Sequence, residues 1–111
     1  EKVLWLDPDW PPQKIEKFFR EQGRSNYPVG APKVSRVRGV IRVQDWFLTR
    51  DLGQATRPAI FAEAEDSLLR AMELLRPSES RLLVVRRGEN VIGVLTLNDI
   101  LAALVGPIKK T

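Results

Sequence analysis

Apolar residues occur along the chain in short continuous runs and in helical spacings, and the two patterns alternate. The runs predict strands at residues 3–6, 27–29, 37–43, 59–61, 82–85 and 91–95. Spacings of three and four residues predict amphipathic helices over residues 15–22 and 68–75, and shorter apolar helices begin near residues 46 and 98. Gly23, Pro77 with Ser78, and Gly106 with Pro107 are expected to end three of these helices.

The order of elements repeats once, because each half reads strand, helix, strand, strand, helix. Gly39 opens a strand that leads to Asp45 at a helix start, and Gly93 and Asp99 repeat this arrangement 54 residues later. We predict an α+β fold of two βαββα repeats, residues 1–53 and 54–111, with small sheets flanked by helices. A unit of about 55 residues buries too little surface to be stable alone. The two repeats are therefore expected to share a core across a pseudo-twofold axis.

The second copy of this motif has residue types that suit a nucleotide. The Thr96 hydroxyl and the free N–H groups at a helix start suit a phosphate, and the Asp99 carboxylate can accept hydrogen bonds from both ribose hydroxyls. The alternative is that Thr96, Asn98 and Asp99 only cap the helix, which is the commoner role for such residues. Two copies in register favour binding, and both interpretations stay open.

The residue composition argues against several classes of function. The chain has no histidine and no cysteine, so it lacks the usual general base, thiolate metal ligands and Cys/His or Ser/His catalytic pairs. Glu63, Glu65 and Asp66 stand together at a predicted helix start, where acidic side chains are favoured. With no nucleophile beside a base, we expect neither an enzyme nor a protein-held metal site.

The net charge is +4, and basic residues cluster at residues 33–42 and 81–87. Nucleic-acid-binding proteins have such charge, but interleaved aromatic residues and a recognition-helix pattern are missing. A solvated basic face is the favoured interpretation. A third interpretation is that part of the charge faces a polyphosphate ligand. Arg42 stands at a strand end near Asp45, so we expect it to bind phosphate oxygens of a ligand with more than one phosphate. An Arg42–Asp45 ion pair is the alternative.

The doubled motif resembles a known family. A repeated strand–helix–strand–strand–helix unit with Gly-Val-Leu-Thr-Leu-Asn-Asp at residues 93–99 is similar to a pair of CBS (cystathionine β-synthase) domains, a Bateman module. The stretches 3–7, 25–29 and 37–40 bring it nearest to the pairs of CorC/HlyC hemolysin-like and CNNM transport proteins. The resemblance covers almost the whole chain.

The resemblance implies a regulatory role for the chain. Such pairs bind an adenosine nucleotide, AMP or ATP, with or without Mg²⁺, and form homodimers in the cytoplasm beside the membrane domain of a Mg²⁺ or Co²⁺ transporter. Carried over, Thr96 would contact phosphate or ribose and Asp99 the ribose hydroxyls, with Asp45 as its first-repeat equivalent. The residues that would border the adenine are Pro58, Ala59 and Ile60.

Several residues depart from the pattern of that family. Arg42 replaces the threonine of the second copy, Asn98 replaces an acidic residue, and Asn26 replaces an arginine. The second repeat is therefore expected to hold the better site. A dimerisation module with vestigial clefts is the alternative function. The apolar faces at Ile15/Phe18/Phe19 and Leu68/Met72/Leu75 are expected to support a homodimer.

Two observations bear on the setting of the chain. The longest clean apolar run, residues 100–105, is too short to cross a bilayer. The chain begins at Glu1 rather than Met, so it is expected to be part of a larger protein. We expect it to be the cytoplasmic part of a membrane protein, joined to the transport domain in the same full-length chain.

Overall fold

Two three-stranded sheets, one from each half, organise residues 2–77 and 82–105, which a computed structural model describes. The strands are β1 (Asn26–Gly30), β2 (Val37–Arg42), β3 (Thr56–Arg57), β4 (Ile60–Glu63), β5 (Leu82–Arg87) and β6 (Asn90–Thr96). The helices are α1 (Pro12–Gln22), α2 (Val43–Thr49), α3 (Leu52–Ala55), α4 (Leu68–Leu75) and α5 (Leu97–Val105). A short 3-10 helix, Val34–Arg36, precedes β2.

The predicted α+β class and the predicted order of elements are confirmed. In the second half β4 is parallel to β5 and β5 is antiparallel to β6. In the first half β1 and β2 are antiparallel. Leu6 takes the place of β4 there, because it bridges to Val29 in parallel and bonds to Pro28 O and Gly30 N at 3.0 and 2.9 Å.

The predicted strand at residues 3–6 is wrong in extent, since Leu6 alone pairs with the sheet. Continuing the parallel ladder by two residues would require the N–H of residue 28 to donate to the carbonyl of Leu4. Residue 28 is a proline and has no N–H. The ladder therefore stops at Leu6.

The join between the halves contains structure that hydrophobic periodicity did not predict. The Asp51 carboxylate accepts a hydrogen bond from Gln54 N (3.2 Å) and so caps α3. The chain then forms β3, which pairs antiparallel with β2 through Val40↔Arg57 and Ile41↔Thr56. The first sheet thus takes its third strand from beyond residue 53, where we placed the boundary between repeats. That boundary stays a prediction.

Three apolar clusters form the core, and one of them belongs to both halves. The first cluster lies around Ile41 and the second around Leu83. The third joins Val40 of β2 to Leu82 and Val84 of β5. Hydrogen bonds between loops add to this junction, from Val34 N to Glu89 O (2.9 Å) and from Val91 N to Pro32 O (3.1 Å). The shared core expected from the repeat is therefore present.

Helix ends follow the predicted signals where the structure describes them. Gly23 adopts a left-handed conformation (φ 71°) and closes α1, as predicted. The Ser67 hydroxyl accepts from Arg70 N (3.0 Å) and caps α4. That helix ends at Leu75, shortly before Pro77. Ser78, Gly106 and Pro107 lie outside the described residues. Within the described ranges, the helices are all too short to traverse a lipid bilayer.

Gly39 and Gly93 occupy equivalent positions in the two motifs but differ in their surroundings, which gives a matched stability test. At Gly39 the backbone has φ 151°, and an added Cβ would lie 2.2 Å from Arg57 O in the neighbouring β3. At Gly93 an added Cβ meets no atom within 4 Å. We expect Gly39→Ala to lower the free energy of unfolding by about 2 kcal/mol or more. Gly93→Ala should change it by less than about 1 kcal/mol.

Urea denaturation followed by circular dichroism measures both changes. Equal losses for the two variants would contradict the close approach of β3 to β2.

Candidate functional site

A cleft of about 600 Å³ opens between the two halves, where β2 runs into α2 and β6 runs into α5. Three segments of the described chain line it. Residues 24–26 lie just before β1 and at its start, residues 42–44 lie where β2 meets α2, and residues 96–98 lie where β6 meets α5. They are Arg24, Ser25, Asn26, Arg42, Val43, Gln44, Thr96, Leu97 and Asn98. The equivalent positions Arg42 and Thr96 of the two repeats therefore face one shared cleft.

Arg42 is a cation of this cleft with no partner among the described residues. It is the last residue of β2, where it pairs with Asn26 of β1, and it immediately precedes α2. Its guanidinium forms no ion pair or side-chain hydrogen bond with the residues that the structure describes. The alternative of an Arg42–Asp45 ion pair is not what the structure shows. The guanidinium is therefore available to an anionic ligand.

Thr96 and Asp99 cap α5 reciprocally. Thr96 N donates to Asp99 Oδ2 (2.9 Å), and Asp99 N donates to the Thr96 hydroxyl (3.1 Å). This is a capping box formed with aspartate, and it satisfies two backbone donors at the helix start. Thr96 and Asp99 thus cap the helix, while no capping bond of the Asn98 side chain is seen among the described residues. Capping does not exclude binding, because Asp99 Oδ1 has no hydrogen-bond partner among the described residues.

Asp99 borders a second, adjoining cleft of about 510 Å³ rather than the one that Thr96 lines. Lys2, Val3, Arg24 and residues 92–95 of β6 form its other walls. Arg24 lines both clefts, so it marks where the two meet. A ligand that reaches both Thr96 and Asp99 would have to extend across this border.

Asp45, the first-repeat equivalent of Asp99, has a different environment. Its Oδ2 atom is buried and lies 3.6 Å from Arg57 Nε of β3, in an ion pair whose Asp45 side chain is 16% exposed. Asp45 is not among the residues that line either of these clefts. The two aspartates therefore differ in role, since the first-repeat carboxylate is paired within the protein.

Comparisons with known proteins show the family of the chain. The family model of the CBS domain matches residues 50–106, half of the chain. The chain belongs to the CBS domain family. It is 28% identical over 96% of its length to UPF0053 protein sll0260 of Synechocystis sp., of which it covers 25%. It spans about a quarter of the length of the curated relatives it matches.

Solved CBS domains share the fold. The CBS domain of a bacterial CNNM/CorC family Mg²⁺ transporter in complex with ATP superposes with a TM-score of 0.80 at 22% identity, over 96% of this chain and 82% of that one. A CBS-domain pair with bound AMP from Klebsiella pneumoniae gives a TM-score of 0.78 at 13% identity, over 95% of this chain and 91% of that one. At such identities the likeness establishes the fold.

The residues expected to border an adenine in this CBS chain lie apart from the two clefts described. Pro58 is exposed between β3 and β4. Ala59 packs against the apolar cluster shared by the two halves, and Ile60 packs against the cluster of the second half. Their contact with a base stays a prediction.

Sequence reasoning did not single out Arg24, Gln44 or Lys2, which line the two clefts. One signal could have found Lys2. Lys2 and Arg57 are 55 residues apart, nearly the spacing of Asp45 and Asp99. Arg57 pairs with Asp45, and Lys2 shares a cleft with Asp99. Each half of this CBS chain thus begins with a cation placed beside the aspartate of the other half.

The capping box gives a stability test that needs no ligand. Thr96→Ala removes the hydroxyl that accepts from Asp99 N, so we expect the free energy of unfolding to fall by about 1 kcal/mol. Thr96→Ser keeps the hydroxyl and should unfold nearly as the parent does. Thermal denaturation of the three proteins measures the difference. A serine variant as unstable as the alanine variant would show that the threonine methyl group, and not the cap, matters.

Proposed function

We propose that this CBS chain is a regulatory domain that senses an adenosine nucleotide within a CorC-type divalent-cation transport protein. The observation that carries the proposal is the shared cleft, which is lined both by Thr96 of one repeat and by Arg42 of the other, a cation with no partner among the described residues. Fold neighbours with ATP in a CNNM/CorC transporter domain and with AMP in a CBS-domain pair support the choice of ligand. The regulatory role is proposed by analogy with these neighbours, one of which is a domain of a Mg²⁺ transporter.

The polar groups of the cleft fit the phosphate end of such a ligand. A guanidinium makes bidentate hydrogen bonds to phosphate oxygens, and Arg42 has no partner among the described residues that it would have to release. Asn26 also lines the cleft, and the NH2 group of its amide is a donor that suits a phosphate oxygen.

The ribose would bind at the border with the adjoining cleft. Asp99 Oδ2 holds Thr96 N, and its Oδ1 would accept from a ribose hydroxyl. Asp45 is committed to Arg57, so an equivalent site in the first repeat would first have to break that ion pair. The second repeat is therefore the better candidate for the ribose.

The setting is proposed from the relatives. A neighbour of the same fold is the CBS domain of a Mg²⁺ transporter, so we place this chain in the cytoplasm beside a membrane transport domain of the same full-length protein. The described residues contain no span of their own. This chain covers 25% of the length of one curated relative. We propose that the transport domain belongs to the part of the full-length protein outside this chain.

Asp99→Asn tests the binding role while keeping the cap, because asparagine caps a helix about as well as aspartate. The amide retains one acceptor oxygen for Thr96 N and loses the second acceptor, and with it the charge. We expect near-native melting and a loss of ATP and AMP affinity of about tenfold, which is ~1.4 kcal/mol. Isothermal titration calorimetry measures it.

Asp45→Asn is the matched control and should weaken binding less. Unchanged affinity in Asp99→Asn would leave Asp99 as a cap alone. A larger effect at Asp45 would mean that the ribose site belongs to the first repeat.

A dimerisation module is a second candidate function, and the exposed apolar side chains of α4 and α5 favour it. The α1 residues Ile15 and Phe19 that we expected at an interface are buried in the core of their own half. Large apolar side chains remain exposed on α4 and α5, however, and these two helices pack against each other. They are Leu68, Leu69, Leu101, Leu104 and Val105. Such a patch is typical of an interface.

We therefore expect a homodimer whose contact uses α4 and α5. Leu104→Glu should shift the sedimentation coefficient to that of the 12.6 kDa monomer, because a carboxylate would be buried at the interface. Leu48→Glu on α2, whose parent side chain is 78% exposed, should leave the dimer intact. A monomer in the parent protein at tens of micromolar would contradict the expectation.

A further inference from the structure

The shared cleft has an unusual balance of charge. Two arginines line it, Arg24 and Arg42, and its other lining residues among those described are neutral. The carboxylates nearest in sequence have other roles, because Asp45 pairs with Arg57 and Asp99 lines the adjoining cleft while it caps α5. Among the described residues that line the cleft, a phosphate chain would meet the guanidinium of Arg42 and no carboxylate.

This arrangement does not suit a magnesium ion held between protein and phosphate. Mg²⁺ sites in proteins use one or two carboxylates together with substrate phosphates. The described residues also contain no group of three or more acidic side chains that could hold a metal ion. Around the cleft the oxygen ligands on offer are the neutral ones of Ser25, Thr96 and the amides.

Arginine and Mg²⁺ would also compete for one ligand. Both bind phosphate oxygens, and chelation by Mg²⁺ lowers the negative charge that the guanidinium attracts. An arginine-lined cleft without carboxylates thus favours the metal-free, more highly charged form of a polyphosphate. A cleft with carboxylates would have the opposite preference, because the ion would screen their repulsion.

We propose that the cleft binds the polyphosphate chain of a nucleoside triphosphate in its magnesium-free form, with Arg42 supplying the charge that Mg²⁺ supplies elsewhere. The proposal rests on nucleotide binding at this cleft, as proposed above. It makes the nucleotide response of this CBS chain sensitive to the Mg²⁺ concentration, since chelation removes the preferred form of the ligand.

Calorimetry with ATP in EDTA and in excess Mg²⁺ tests the proposal on the whole chain, with AMP as reference. We expect ATP to bind in EDTA and Mg²⁺ to weaken it by about threefold or more, the effect of one unit charge at ~6 Å in a water-like dielectric. AMP should respond much less. ATP binding that requires Mg²⁺, or is tightened by it, would overturn this inference while nucleotide sensing stands. Absence of binding by both nucleotides in both buffers would overturn both.

Variants assign the effect to the cleft. Arg42→Gln should weaken ATP more than AMP and remove most of the difference between EDTA and Mg²⁺. Arg38→Gln is the matched control, because Arg38 is exposed on the same strand and is not among the residues lining the cleft. Its ATP affinity and Mg²⁺ response should stay as in the parent. Equal changes in the two variants would assign the effect to net charge and contradict a role for Arg42.

Discussion

The packing of Val40 against Leu82 and Val84 is the contact on which the site depends. It joins the two sheets close to the points where their strands turn into helices. Arg42 follows Val40 by two residues, and Leu82 pairs directly with Thr96 in the register of β5 and β6. Because side chains in a well-packed core have little freedom to shift, this one contact holds Arg42 and Thr96 on opposite walls of a single cleft.

The two repeats use one sequence motif for different purposes, and the cause is what lies beside each aspartate. The first repeat gains β3, whose Arg57 pairs with Asp45 and whose close approach requires glycine at position 39. In the second repeat the space beside Gly93 is open, and Asp99 borders a cleft with Lys2. The first half thus pairs its carboxylate with an internal cation, while the second keeps a carboxylate oxygen that could accept from a ligand.

Much of this architecture could be predicted from the sequence, because local signals determine it. Apolar periodicity and the helix-end signal at Gly23 predicted the order of elements, and the repeat predicted a shared core. The features that the sequence did not predict depend on tertiary contacts. Pro28 truncates the first strand only because a longer parallel ladder would need its missing N–H, and β3 forms because β2 offers it an edge. Arg24 lines the cleft through the three-dimensional fold, which periodicity does not encode.

The central claim is that both repeats build one anion-binding cleft between them. The most direct measurement is a titration of the isotope-labelled protein with ATP in EDTA, followed by the backbone amide signals in NMR. If the cleft is shared, the amide signals of Arg42–Gln44 and of Thr96–Asn98 should shift together with one common dissociation constant. The amide signals of α1 should stay unchanged. Shifts confined to one repeat, or two different dissociation constants for the two segments, would contradict a shared cleft.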